Sequence, residues 1–281
     1  AAGAGDGAAA LEGGDPRALP QPHLPGSGGV RGGGGGADGG RGVVGFGGGL
    51  TMFGYGPDSV VAVVSGALLL EGMRRLRVEG HLHARHPWLP YHEFVTETMA
   101  RVVGAKPAET VVMNSLTVNL HLMMVSFYRP TGKRTKIVIE KGAFPSDQYM
   151  ISSQVRFHGF DPEEAIVELK KREGEHNFRT EDILAKIEEV GEECALVLIG
   201  GVNYYTGQVF DIAKITEAGR RVGAFVGWDL AHAAGNIELK LHEWEVDFAV
   251  WCSYKYLNSG PGGTSGVFVH EKHGNNPALP R

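Results

Sequence analysis

The sequence predicts an α/β protein, a mostly parallel sheet with helices on both faces. Two observations point there. Between residues 109 and 270, short β-branched or apolar runs alternate with segments of helical pattern. Polar clusters repeatedly follow those runs, as they do where ligands sit at the carboxyl ends of parallel strands. No internal repeat of fixed period is present.

Taken in order, residues 1–49 are rich in Ala, Gly and Pro and poor in large apolar side chains. Such a composition buries too little surface to offset chain entropy, so this stretch is expected to be disordered or foreign to the natural fold. It contains a formal G-x-G-x-x-G at Gly34, Gly36 and Gly39, but no strand precedes it and no helix follows, so a dinucleotide site is rejected. Residues 50–281 are expected to form one large domain. Residues 59–77 read as an apolar helix with a basic end at Arg74, Arg75 and Arg77. The longest apolar run, residues 60–70, is too short to span a bilayer and holds Ser65 and Gly66.

The stretch at 80–88 carries His81, His83 and His86 and reads as a loop. No carboxylate completes a recognisable metal motif there, and no metal is expected. Residues 90–104 read as one helix with Gly104 as its C-cap. A strand at 109–113 leads through Asn114-Ser115-Leu116-Thr117-Val118-Asn119 into a helix ending at Phe127. A strand, a polar turn and a helix start can bind an anion through free N–H groups; plain N-capping by Ser115 or Thr117 is the equal alternative. Gly132-Lys133-Arg134 lacks the upstream glycine and the following Ser/Thr of a P-loop and is rejected.

Lys136–Glu140 is a β-branched strand that delivers Ala143-Phe144-Pro145-Ser146-Asp147 to a loop, with a helix over 148–157. Residues 161–174 read as a charged helix or loop, and 180–190 as an amphipathic helix with Thr180 as its cap. Further strands are expected at 194–199, 224–228, 247–251 and 266–270, with a loop at 200–207 and a helix at 212–222. Trp228-Asp229-Leu230-Ala231-His232 ends one strand and Cys252-Ser253-Tyr254-Lys255-Tyr256 ends another. A lysine at a strand end, with an aspartate and a histidine at another, can hold an aldehyde cofactor as a Schiff base.

Bulk properties exclude other classes. The formal charge of −5 argues against a nucleic-acid surface. Cys194 and Cys252 form no disulfide framework, which suits a reducing compartment. No membrane span and no secretory signal are found, so a cytoplasmic location is expected.

Asp229-x-x-His232 followed by Ser253-Tyr254-Lys255-Tyr256-Leu257-Asn258 and Gly-x-Gly-Gly resembles the fold-type I enzymes that depend on pyridoxal 5'-phosphate (PLP). More narrowly, the chain resembles the kynureninase family. The matching stretches are residues 113–122, Ala143-Phe144-Pro145-Ser146-Asp147, Tyr205-Thr206-Gly207-Gln208 and residues 227–233. The resemblance runs from about Gly80 to about His273.

It implies PLP as cofactor and a homodimer. It also implies hydrolysis of L-kynurenine to anthranilate and L-alanine, with 3-hydroxykynurenine handled likewise. By this resemblance Lys255 would hold the cofactor and move protons, and Asp229 would pair with the ring nitrogen. Phe144 would stack on the ring. Leu116, Thr117, Pro145, Ser146 and Asp147 would line the cofactor site, with His232 beside Asp229. Tyr254 would contact the phosphate and could donate a proton, and His81 would face the substrate.

Two departures stand out. Where the family has an Asn-Ser-Leu-Gly loop, this chain has Phe53-Gly54-Tyr55-Gly56. The family also continues past the position of Arg281 into a small C-terminal domain that holds the arginine for the substrate carboxylate. The large domain is therefore expected to be incomplete, binding PLP weakly and turning over kynurenine poorly or not at all. The competing readings are another PLP enzyme of this fold, such as a desulfurase or aminotransferase, and an inactive remnant.

Overall fold

A computed structural model describes residues 77–280. The expectations for 1–49, for the helix at 59–77 and for Phe53-Gly54-Tyr55-Gly56 fall on residues outside these, apart from Arg77. Seven strands form one sheet: β1 (Thr110–Val112), β2 (Lys136–Glu140), β3 (Ile166–Leu169), β4 (Cys194–Gly200), β5 (Phe225–Asp229), β6 (Phe248–Trp251) and β7 (Gly266–Val269). Their order is β1-β7-β6-β5-β4-β2-β3. The pairs from β6 through β5, β4 and β2 to β3 are parallel, and β7 runs antiparallel to both β6 and β1. The sheet is thus mostly parallel, as expected.

Around it lie α1 (Gly80–His83), α2 (Thr96–Val103), α3 (Leu116–Phe127), α4 (Pro145–Phe157), α5 (Pro162–Ala165), α6 (Thr180–Val190) and α7 (Ile212–Arg221). The period-2 alternation of the strands divides the core into two layers. Val197 and Ile199 of β4, with Ala249 and Trp251 of β6, face Val103, Ile183, Ile187 and Ile215 from α2, α6 and α7. Leu196 and Leu198, with Phe248 and Val250, face Leu120, Met124, Phe127, Met150 and Val155 from α3 and α4. Continuous apolar strands such as β4 are what a sheet covered on both faces demands. Close approach sets one glycine: a Cβ at Gly227 would collide with the edge of the Phe248 ring.

Several local expectations are corrected. Residues 90–104 are not one helix. A 3₁₀ turn, Tyr91–Glu93, precedes α2, which does end at Gly104 in the left-handed conformation (φ 63°). The histidine stretch at 80–88 is not all loop, because Gly80–His83 makes one helical turn. The charged segment at 161–174 contains β3, an edge strand whose Ile-Val-Glu-Leu run is short and lies between charges. Thr180 is not a cap: it is the first residue of α6, preceded by Arg179 with no side-chain capping bond. Finally, α4 begins at Pro145, three residues before the expected start, because proline suits the first helical turn.

Candidate active site

Four strand ends and two helix starts meet at the carboxyl edge of the parallel strands. They enclose a cleft of about 170 Å³ lined by Leu116, Thr117, Phe144, Asp147, Asp229 and Lys255, among others. A larger hollow of about 830 Å³ lies against β3 and α6. Its charged lining belongs to exposed groups such as Glu163 and Glu164, with no converging buried polar atoms, so chemistry rather than size selects the smaller cleft.

The polypeptide shapes each wall. Asn114 takes a left-handed conformation (φ 53°), which only Gly, Asn and Asp reach at low cost, and turns the chain from β1 into α3. Its side chain donates to Asn119 Oδ1 at 3.1 Å, and Asn119 Nδ2 donates to the Met113 carbonyl at 2.9 Å. This pins the start of α3, with its unpaired N–H groups, at the cleft. Ser115 stands at the N-cap but makes no side-chain capping bond, so plain capping does not explain it.

Lys255 is carried on a stapled loop. The Ser253 and Ser259 hydroxyls are 2.7 Å apart, Ser253 Oγ donates to the Thr264 carbonyl at 2.6 Å, and Ser259 N donates to the Ser253 carbonyl at 3.1 Å. The loop brings Lys255 Nζ to 3.0 Å from His232 Nε2 and 5.4 Å from the centre of the Phe144 ring. Burial and the neighbouring Lys255 lower the His232 pKa, so its neutral ring can accept a hydrogen bond from the ammonium. Phe144 is met edge-on by Tyr204, with ring centres 5.2 Å apart.

Asp229 ends β5 and is 8% exposed; its Oδ1 accepts from Ala231 N at 2.7 Å. Burial raises its pKa, opposed by a hydrogen bond with Asp147, the Ala231 N–H and the charge of Lys255. Asp147 is pushed up to about 9 by burial and by Asp229. Glu140, at the end of β2, is pushed up to about 7, chiefly by burial. Three buried acids thus share one cleft with one lysine, an arrangement that favours a ligand bringing a cationic group to Asp229.

The structure brings together Leu116, Thr117, Phe144, Ser146, Asp147, Asp229, His232, Tyr254 and Lys255 from the sequence expectation. Pro145 opens α4 beside them without lining the cleft. His81 is not brought there. Its ring lies edge-on to Trp88 with centres 5.1 Å apart, and its Nδ1 is 2.9 Å from the Val78 carbonyl oxygen. The cleft also contains Glu140, Gly200, Val202, Tyr204 and Ala231, which sequence reasoning missed. For Glu140 a signal existed: a charge ending the run Lys-Ile-Val-Ile-Glu.

Away from the cleft, Glu109, His242 and His270 place potential ligand atoms within 4.8 Å of one another. The Glu109 carboxylate already accepts from Lys106 N, Glu271 N and His242 Nδ1, each at 2.9 Å, so the group reads as a hydrogen-bonded brace.

The donor set of the cleft suits PLP. An amine, a buried carboxylate, an aromatic face and a helix start with free N–H groups are the four features that cofactor engages. Comparisons with known proteins agree. Residues 81–278 match the aminotransferase class-V family. A kynureninase of Christiangramia forsetii is 70% identical over 213 residues, covering 76% of this chain and 50% of that protein. One from Nematostella vectensis is 59% identical, covering 74% of this chain and 44% of that protein. The chain spans about half the length of the curated relatives it matches. Among solved structures, a C-DES mutant with glycine covalently linked to its PLP cofactor superposes with a TM-score of 0.62 at 16% identity, covering 78% of this chain and 55% of that one. An apo cysteine desulfurase from Thermococcus onnurineus superposes at 0.57 with 19% identity, covering 74% and 51%. At such identities these two likenesses establish the fold alone.

Proposed function

The chain belongs to the aminotransferase class-V family, and we propose that it binds PLP and serves the hydrolysis of L-kynurenine to anthranilate and L-alanine, and of 3-hydroxykynurenine to 3-hydroxyanthranilate. The observation that carries this reading is the convergence of Lys255, Asp229 and Phe144 in one cleft of a chain 70% identical to a kynureninase.

In this reading Lys255 would hold the cofactor through its Nζ and could carry a proton at the substrate Cα. His232, 3.0 Å from Nζ, accepts from the ammonium and keeps it aimed. Asp229 keeps the ring nitrogen protonated, and Phe144 covers the ring. The N–H groups at the start of α3, with Leu116, Thr117 and Ser146, receive the phosphate. Tyr254, half-exposed at the rim, contacts the phosphate and is placed to donate a proton; burial raises its pKa, so it stays protonated at neutral pH. Asp147 hydrogen-bonds Asp229 and fixes its orientation. When bound, PLP supplies an electron sink that stabilises negative charge at the substrate Cα. Pro145 contributes by starting α4 in the right place. His81, which lies edge-on to Trp88 outside this cleft, is proposed to face the substrate.

A homodimer is part of the proposal. Val118, Leu122 and Val125 leave an apolar stripe on α3, each more than two-fifths exposed, beside the cleft's helix start. A cytoplasmic location is proposed too, supported by two free, buried cysteines. Among the described residues no helix is long and apolar enough to cross a membrane.

The test is to add PLP to the purified chain and follow its visible absorbance, then add kynurenine and follow anthranilate fluorescence. A protein-bound PLP band that Lys255→Ala abolishes is the expected result, with at most weak anthranilate release, shown by the parent alone. A folded chain without the band sinks the cofactor assignment. Amino-group transfer without anthranilate points instead to an aminotransferase.

A further inference from the structure

The cleft contains one buried acid for which the proposed chemistry has no use. Glu140 ends β2 and is 5% exposed. Its Oε1 accepts from Gly200 N, at the end of the neighbouring parallel strand β4, at 3.1 Å. A Cβ at Gly200 would lie 3.1 Å from that oxygen and press on the carboxyl. Among the described residues no lysine, arginine or histidine forms an ion pair with Glu140. The ionisable groups facing it are acids: Asp229 from β5 and Asp147 from α4. Lys255 and His232 line the same cleft.

We propose that Glu140 is a positioning residue for the part of the cofactor that Asp229 receives, acting through Gly200 and Asp229. This rests on the PLP reading above. Two roles follow from the geometry. The hydrogen bond to Gly200 ties the ends of β2 and β4 together and so sets the floor beside Asp229. The carboxyl also controls the charge of that floor. Burial and the Asp229 charge push Glu140 up to about 7, so it is mostly neutral at mildly acidic pH and ionised at mildly alkaline pH. Ionised, it adds a second negative charge close to the nitrogen that Asp229 must keep protonated. Glu140 should therefore strengthen cofactor binding as the pH rises through neutrality. Asp147, pushed up to about 9, stays protonated across that window.

The experiment measures PLP dissociation constants for the whole chain by visible titration at about pH 6 and about pH 8. Parent, Glu140→Gln and Glu140→Ala are compared, and thermal unfolding without PLP confirms that each is folded. Glu140→Gln keeps an oxygen for Gly200 but cannot ionise. It should match the parent at the lower pH and bind about three- to tenfold more weakly at the higher one. Glu140→Ala, losing the Gly200 contact as well, should weaken binding at both.

The inference is overturned if Glu140→Gln stays within about twofold of the parent at both pH values, or if it weakens binding equally at both. The second result would mark simple packing. If Glu140→Ala does not fold, the Glu140→Gln comparison decides alone. A parent that binds no PLP, or a Lys255→Ala variant that keeps the bound band, overturns the cofactor reading itself. A PLP-binding parent with an unaltered Glu140→Gln overturns only this inference.

Discussion

The two ends of the sheet treat buried carboxylates in opposite ways. At the amino ends of β1 and β6, Glu109 and Asp247 are surrounded by donors. Asp247 accepts from Val226 N at 2.7 Å and lies 2.7 Å from Lys272 Nζ and 2.8 Å from His273 Nε2. Burial pushes its pKa up, but His273, Lys272 and the Val226 N–H outweigh it and hold the carboxyl below its usual range. Glu109 behaves likewise, through Glu271 N, Lys106 N and His242. At the carboxyl ends, Glu140, Asp147 and Asp229 crowd together and all titrate high. One end has its charges compensated by the chain and serves stability. The other leaves acids undercompensated, a stability cost that makes sense where a cationic ligand group completes the balance.

The sharpest way to break this comparison is at the carboxyl end. Lys255→Ala should remove the bound PLP absorbance altogether, with any anthranilate release by the parent lost as well, while thermal unfolding of the PLP-free chain barely moves. A large loss of stability would mean that Lys255 belongs to the fold rather than to the chemistry. Asp229→Asn should weaken PLP binding by about ten- to a hundredfold, with the loss read in a titration of the visible band.

At the opposite end the effects should fall on stability instead. Asp247→Asn leaves Lys272 and His273 without their buried partner and should cost about 3 kcal/mol in denaturant unfolding. PLP affinity should stay within about twofold, since the change lies at the far end of β6. A parallel loss of affinity would show that the two ends are not independent.

Asp147→Asn should do the reverse, stabilising the PLP-free chain by about 2 kcal/mol at neutral pH. The sign follows from linkage. Asp147 has a folded pKa raised to about 9, so its favourable contribution is complete below the unfolded value and is lost as pH rises toward about 9. The asparagine has no proton to lose. Asp247 and Glu109 are depressed, so their contributions are present above the unfolded carboxylate pKa and vanish as the pH falls through their folded values. Unfolding curves against pH should thus show an acid limb that Asp247→Asn flattens and an alkaline limb that Asp147→Asn flattens.

Much of this was legible in the chain, but unevenly. β2 and β4 were plain because their β-branched, apolar runs match strands covered on both faces. β3 was hidden because an edge strand needs only a short run, here four residues among charges. The helix at 90–104 was read too long: its apolar positions suited a helix, but the backbone breaks between Glu93 and Thr96. In the cleft, Asp229 stood out at the end of one apolar strand and Lys255 as a single lysine between two tyrosines shortly after another. Glu140 carried a comparable local signal, a charge ending β2, but its importance depends on β2 lying beside β4 and near β5, an order the sequence does not follow.

By itself, then, the sequence determined the alternation of strands and helices, the two apolar faces of the sheet, and the aspartate and lysine of the cleft, while the place of Phe144 came only from the family resemblance. These follow from local periodicity and from the chemistry of single side chains. Only the tertiary structure decided which strand ends are neighbours. That choice gathered Glu140, Asp147 and Asp229 into one poorly hydrated space, left His81 against Trp88, and ringed Glu109 and Asp247 with donors. The physical reason is that charge interactions in a buried site depend on separation in space and on the loss of water, and periodicity along the chain specifies neither.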